Sequence, residues 1–198
     1  MRVDLREFDE LYRQADDPWG FATSPYEQLR YETTMTALGQ THYARVFEPA
    51  CSIGVLTGLL AAVADDVVAC DCSASAIAQA EDRIGSLSNV ELVNAAVPEW
   101  WPSGTFDLIL LSELGYYWDR VEWGRLIERC RGSLRAGGEI LAVHWLGTSD
   151  DHITNGFDVH HELRRHLGIP EVHVEQLDAS APGPNGFLLE RWTTTDSS

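Results

Sequence analysis

The chain has 198 residues, 14 Lys+Arg against 31 Asp+Glu, and a formal net charge of −17. That balance argues against nucleic acid or an anionic membrane as the main partner, because both select Lys/Arg-rich surfaces. It suits a cationic small molecule, or simply keeps the protein soluble. Hydrophobic residues at 44% and charged residues at 23% describe ordinary globular material, and the length predicts one domain, residues 1–198. Apolar runs such as Leu108–Leu111 are far shorter than the ~20 residues of a spanning helix. The first residues, MRVDLREFDE, are too charged for a signal peptide. Cys51, Cys70, Cys72 and Cys130 lie inside apolar or helical patterns without metal or redox spacing. A reduced, cytoplasmic setting and no metal site are therefore expected.

In chain order, Leu5, Phe8, Leu11 and Tyr12 recur at helical spacing over residues 4–15, and Asp16–Gly20 breaks that helix. Ser24-Pro25-Tyr26-Glu27 reads as a helix start with a Ser cap, Pro in the first turn and Glu closing a capping box. That helix runs to about Leu38 and completes a helical cap over residues 1–40. The pattern then alternates: strand Ala44–Pro49, helix Val55–Val63, strand Val67–Cys72, a Ser73-capped helix to Gly85, strand Val90–Val93 and strand Phe106–Leu111. Helical text over Val121–Leu134 stops at Ala136-Gly137-Gly138, before a strand at Glu139–Trp145. A helix over 157–167 precedes strands Val172–Leu177 and Phe187–Trp192, joined by a hairpin-type turn over Ala181–Gly186. Strands alternating with helices pair in parallel, and the closing hairpin adds one antiparallel strand. The expected fold is α/β: a three-layer, doubly wound sandwich around a mostly parallel seven-stranded sheet. Its ligand belongs outside the carboxyl ends of the strands.

The first strand enters a small-residue turn, Glu48-Pro49-Ala50-Cys51-Ser52-Ile53-Gly54, ahead of a helix, so a ligand can approach the backbone closely. Gly-Lys-Ser/Thr is absent, which excludes a nucleoside triphosphate loop. Asp71 ends the second strand, where a carboxylate can accept two hydrogen bonds from a ribose diol; the alternative is a solvated carboxylate at a helix start.

Glu48 to Gly54 resembles the glycine-rich turn of class I S-adenosylmethionine-dependent methyltransferases. More narrowly, the chain resembles the nodulation protein S-type N-methyltransferases. The matching pieces are Asp17-Pro18-Trp19-Gly20, Ser24-Pro25-Tyr26-Glu27 with Arg30, Cys51 to Thr57, Val97-Pro98 with Trp101-Pro102, Phe106 to Ile109 and Leu111-Ser112-Glu113. Tyr116-Tyr117, Gly137-Gly138, His144-Trp145 and Gly156 with Val159-His160 complete them, so the resemblance covers roughly residues 9 to 192. It implies a Rossmann-like fold with S-adenosylmethionine as cofactor. It also implies a cofactor set of Trp19, Arg30, Glu48, Ala50, Ser52, Gly54, Asp71, Cys72, Ala96, Val97 and Ser112. Arg30 suits the methionine carboxylate and Trp19 a lid, against a solvated charge and a packing anchor. Ala50 and Ser52 replace two usual glycines, a substitution that only positive φ would penalise. Ala96 stands where the family carries an acid, leaving Asn94 or a backbone carbonyl for the adenine edge.

Glu113, Tyr117, His144 and His160 are the catalytic candidates, with Tyr116 beside them. An amine acceptor must lose a proton before it attacks, and a carboxylate or imidazole can take it. The alternatives are wall aromatics for Tyr116 and Tyr117, a hydrogen-bonded strand-end histidine for His144, and an ammonium-holding role for Glu113. His161 and His166 read as surface residues. Asp150, Asp151, Asp158 and Glu162 form either an acidic rim for a multiply cationic acceptor or a solvated charge run. The leading expectation is N-methylation of a small amine such as an aminosugar, by a cytoplasmic monomer or homodimer. O-methylation of a small metabolite, a non-catalytic nucleotide-binding module and a dinucleotide oxidoreductase are the competing readings. The last lacks its third turn glycine.

Overall fold

A computed structural model describes residues 4–177 and 186–194. The turn expected between the last two strands, at 181–185, lies outside these residues. The chain divides into two compact units, Asp4–Asp107 and the residues from Leu108 onward.

The N-terminal unit opens with α1 (Leu5–Gln14) and α2 (Pro25–Thr36). It continues through β1 (Tyr43–Pro49), α3 (Val55–Ala61), β2 (Ala64–Asp71), α4 (Ala74–Ile84) and β3 (Val90–Asn94). The C-terminal unit holds most of β4 (Phe106–Ser112), a 3-10 turn (Gly115–Tyr117), α5 (Arg120–Gly132), β5 (Leu134–Trp145), α6 (Gly156–Leu167), β6 (Val172–Leu177) and β7 (Gly186–Thr193). The strands form one seven-stranded sheet in the order β3-β2-β1-β4-β5-β7-β6. β1, β2 and β3 pair in parallel, while β7 runs antiparallel to both β5 and β6. This is the mostly parallel, doubly wound α/β fold with one antiparallel strand that the alternating pattern predicts.

Three local readings differ. Ser24 is the N-cap of α2, but its side chain makes no capping hydrogen bond, and Glu27 turns instead to Arg30. Pro25 fixes the first helical turn and Glu27 favours the helix dipole, so the helix starts without the box. α5 ends at Gly132, and β5 begins at Leu134, before the Gly-Gly pair. Gly137 N–H donates to the Thr194 carbonyl at 3.1 Å and Thr194 N–H to the Gly138 carbonyl at 2.8 Å, so the sheet captures a segment that reads as a loop. The 3-10 turn at Gly115–Tyr117 carries no periodic signal. Gly115 is required there, since a Cβ would lie 2.4 Å from Val159 Cγ1.

β1 and β2 are buried along their carboxyl-terminal halves, as both-face-covered parallel strands are. Among the described residues no helix is long and apolar enough to cross a membrane, and no group of three His, Cys, Asp or Glu is placed to hold a metal.

Candidate active site

In the N-terminal unit the turn after β1 is built around Asp71. Its Oδ2 accepts from Ser52 N–H at 3.0 Å and its Oδ1 from Ser73 N–H at 2.9 Å, tying the β1–α3 and β2–α4 turns together. Asp71 is 7% exposed, which removes the solvated alternative, and burial raises its pKa. Gly54, at φ 76°, caps α3 and packs where a Cβ would meet Ile84 and Ala80 at 3.0 and 3.1 Å. Ala50 and Ser52 also take positive φ, 59° and 52°. Only glycine adopts that region freely, so the two replacements carry strain the sequence flags but does not reveal.

Glu48 is buried at the end of β1 and accepts from the Thr57 hydroxyl at 2.6 Å. Burial pushes its carboxyl up to about 8, with Asp71 adding repulsion and Arg30 opposing it. Arg30 is buried on α2, not solvated: Nε donates to Glu27 Oε2 at 2.9 Å and the guanidinium lies over Tyr31 at 5.0 Å. Trp19 is exposed, edge-on to Tyr12 at 5.3 Å and stacked on Phe21 at 5.7 Å. Two residues that sequence reasoning missed hold α1 here. Asp9 Oδ1 accepts from the Ser73 hydroxyl and Ser75 N–H at 2.9 and 3.0 Å, and the Tyr12 hydroxyl bonds the Ser52 hydroxyl. Tyr12 was legible only as an apolar helix position.

At the β2–β3 ends, Asn94 Nδ2 donates to the Asp71 carbonyl at 3.0 Å. The Cys72 thiol is pushed up to about 12 by burial, which leaves it no thiolate chemistry at neutral pH. Ala96 is half-buried and Val97 buried just after β3.

In the C-terminal unit Ser112 is buried at the end of β4. Glu113 follows at φ 54°. Its Oε1 accepts from Trp145 N–H at 2.9 Å and its Oε2 from the Tyr116 hydroxyl. Around it stand aromatic rings: Tyr117 edge-on to Tyr116 at 5.0 Å, and His152 stacked on Tyr116 at 3.9 Å and edge-on to Trp145 at 6.0 Å. No motif pointed to His152; burial lowers its pKa, and its Nδ1 is buried without a hydrogen-bond partner.

His144 and His160 are fully buried. His144 Nε2 accepts from Gly115 N–H at 3.0 Å, and its Nδ1 lies 3.2 Å from His160 Nε2. His160 Nδ1 lies 2.8 Å from Glu190 Oε2. Both nitrogens of each ring are engaged inside the core. Of the four candidate rim acids, one does not fit a solvated rim. Glu162 is buried and neutralised by Arg120 at 2.5 Å and Arg165 at 2.7 Å. Asp158 is held by the Asn155 side chain at the α6 N-terminus.

The cofactor implied by the sequence resemblance fits the N-terminal unit. A buried carboxylate at the end of β2 suits a diol, and a turn of small residues and a buried guanidinium suit an amino-acid end.

A family model for nodulation protein S matches residues 4–148. The nodulation protein S of Bradyrhizobium diazoefficiens is 30% identical over 103 residues, which cover 52% of this chain and 49%, about half, of that protein. A crystal structure of a candidate methyltransferase from Pseudomonas syringae is 32% identical, covers 85% of this chain and 99% of its own, and has a TM-score of 0.73. The crystal structure of the N-methyltransferase NodS from Bradyrhizobium japonicum with S-adenosyl-L-homocysteine shares the fold, with a TM-score of 0.80 at 21% identity over 96% of this chain and 97% of that one.

Proposed function

Because this chain belongs to the nodulation protein S family, we propose that it is an S-adenosylmethionine-dependent methyltransferase acting on a nitrogen of a small amine. The observation that carries the reading is the buried Asp71 carboxylate. It organises both carboxyl-end turns of the N-terminal unit through Ser52 N–H and Ser73 N–H.

In this reading the β1–α3 turn, Ala50 to Gly54, cradles the amino-acid end of the cofactor with Arg30, and Asp71 takes the ribose diol. Glu48 shapes the turn from beneath. Cys72, Ala96 and Val97 line the adenine edge, Ser112 adds a hydroxyl, and Trp19 belongs to the cap, residues 1–40. The bound cofactor supplies a methyl group already activated on a sulfonium, so the protein's work is mostly alignment. Glu113 carries the acceptor side. A carboxylate among Tyr116, Tyr117, Trp145 and His152 attracts an ammonium group through charge and ring faces together. As the acceptor sheds its proton, Glu113 Oε1 and Oε2 are the nearest acidic acceptors on this turn, already oriented by Trp145 N–H and the Tyr116 hydroxyl. Tyr117 walls the acceptor. His144 and His160 act behind this surface. The protein so proposed is a single methyltransferase domain acting in the cytoplasm on a cationic small molecule.

Calorimetry with S-adenosyl-L-homocysteine and with NAD tests the reading. Binding of the first alone is expected. Asp71→Ala should weaken it by ~2–3 kcal/mol, as loss of a charge-assisted hydrogen bond does. Unchanged affinity in Asp71→Ala, or preference for NAD, would sink it.

A further inference from the structure

In the C-terminal unit, α6 covers a face of the sheet on which β5, β7 and β6 place His144, Glu190 and His173. Ala142 pairs with Glu190 across β5–β7, and His173 pairs with Glu190 across β6–β7, so alternation puts His144, two residues from Ala142, on the same face. His160 and Arg164 are four residues apart on α6 and both reach this face. Glu190 is 0% exposed, an acid in the middle of an apolar strand. Its Oε2 takes His160 Nδ1 at 2.8 Å, and its Oε1 takes Arg164 Nε at 2.8 Å and His173 Nδ1 at 2.7 Å.

The direction of every proton in this chain follows from its two ends. A backbone N–H can only donate, so His144 Nε2, which accepts from Gly115 N–H, is unprotonated. A neutral His144 then carries its proton on Nδ1 and donates it to His160 Nε2. His160 must carry its own proton on Nδ1, where it meets Glu190 Oε2. From the other end an ionised carboxylate only accepts, which requires the same arrangement. Neutral rings also suit the surroundings: Tyr116 and Trp123 stand edge-on to His144 with ring centroids 5.6 and 6.1 Å away, and burial lowers the pKa of His160.

We propose that Glu190 is a positioning residue: through His160 and His144 it fixes the Gly115 amide, and with it the turn that carries Glu113, Tyr116 and Tyr117. The link to methyl transfer rests on the acceptor role given to that turn above; the polarity of the relay does not. Gly115 packs against Val159 and Trp123 with no room for a side chain, and its amide is held by His144, so the turn starts from a defined point. Glutamine at 190 keeps the shape but has one oxygen. Arg164 and His173, both donors, claim that oxygen and turn the amide NH2 toward His160 Nδ1. His160 then moves its proton to Nε2, His144 follows, and an N–H faces the Gly115 N–H. A carboxylate that selects an imidazole tautomer is an established device in hydrolytic triads; here the beneficiary is a backbone amide.

The test uses the intact protein labelled with 15N-histidine. Two-bond proton–nitrogen spectra at neutral pH should show His144 and His160 both neutral and both protonated on Nδ1. Glu190→Gln should move both protons to Nε2 and speed hydrogen exchange at the Gly115 amide at least ~10-fold. Glu190→Asp, which keeps an acceptor-only group, should preserve the wild-type tautomers. S-adenosyl-L-homocysteine affinity should stay within about twofold in both variants, because every proposed cofactor residue except Ser112 belongs to the other unit, and none of them is a link in the relay of Glu190, His160 and His144. An Nε2-protonated or doubly protonated ring in the wild type overturns the proposal without any variant. Unchanged tautomers and unchanged Gly115 exchange in Glu190→Gln overturn it too. Failure of the wild type to bind S-adenosyl-L-homocysteine would instead overturn the methyltransferase reading and leave the relay to the spectra.

Discussion

Glu48 couples the cofactor turn to pH. Its carboxyl, ordinarily near 4.5, is pushed to about 8 by burial beside Asp71. Between those values the folded protein holds a proton that the unfolded chain has released. The stabilising effect is complete below the unfolded value and is lost as pH rises through the folded one, at up to ~1.4 kcal/mol per pH unit. Glu48→Gln keeps the hydrogen bond from Thr57 and cannot ionise. Denaturant unfolding at about pH 5 and about pH 9 should therefore show the variant gaining on the wild type as pH rises. A constant difference between the two would mean that Glu48 ionises normally. The left-handed turn residues make a second prediction. Ala50 sits at φ 59°, which costs an L residue ~1–2 kcal/mol, part of which a glycine's looser unfolded chain takes back. Ala50→Gly should raise stability by about 0.5–1 kcal/mol in urea midpoints; a loss of stability would show that the turn is relaxed as it stands. The sequence reads as a small-residue turn here, and family glycines mark the positions. The φ values themselves were not legible, because alanine and serine are residues that argue against them. What holds the turn in place is Asp71 on Ser52 N–H and Tyr12 on the Ser52 hydroxyl, both long-range.

The elements were legible where one physical signal dominates. Ser73 was readable as a cap and accepts from Ala76 N–H at 3.1 Å, and the α6 pattern places Val159 and Leu163 inward. Tertiary pairing wins where local text is neutral, as when Thr194 draws Gly137 and Gly138 into β5. His144 and His160 were visible as chemistry-bearing residues, but their roles depend on Glu190, which entered the reading only as part of a strand. A one-residue alternation argument on Phe187–Trp192 would have flagged it as an acid on a covered face. At this scale α1 is the element most exposed to test. Asp9 joins it to the start of α4 through Ser73 and Ser75, where a carboxylate also suits the helix dipole. Asp9→Ala should loosen α1, seen as at least ~10-fold faster amide exchange in residues 5–14 with β2 unchanged, and should weaken S-adenosyl-L-homocysteine binding by about 3- to 10-fold. Unchanged α1 protection would show that the Tyr12–Ser52 contact and apolar packing hold the cap alone.

For the whole molecule, some of the acids behind the net charge of −17 are paired within the C-terminal unit. Glu162 is matched by Arg120 and Arg165, and Glu190 by Arg164. In the proposed reading, selection of a cation falls to Glu113 and the rings around it, a short-range arrangement that salt screens weakly. In the same reading, the N-terminal unit contributes the turn, Asp71 and Arg30, and the C-terminal unit contributes Glu113 and its aromatic surround. The claim that joins them is methyl transfer to nitrogen. It is tested most directly by incubating the protein with S-adenosylmethionine carrying a 13C-labelled methyl group and a panel of aminosugars, polyamines and hydroxylated analogues without amines. Products are then read by mass spectrometry and by the carbon shift of the transferred methyl. The account predicts label on the nitrogen of at least one amine, S-adenosyl-L-homocysteine formed in equal amount, and loss of both in Asp71→Ala and Glu113→Gln. Label on oxygen alone, or product formed equally well by the two variants, would contradict it.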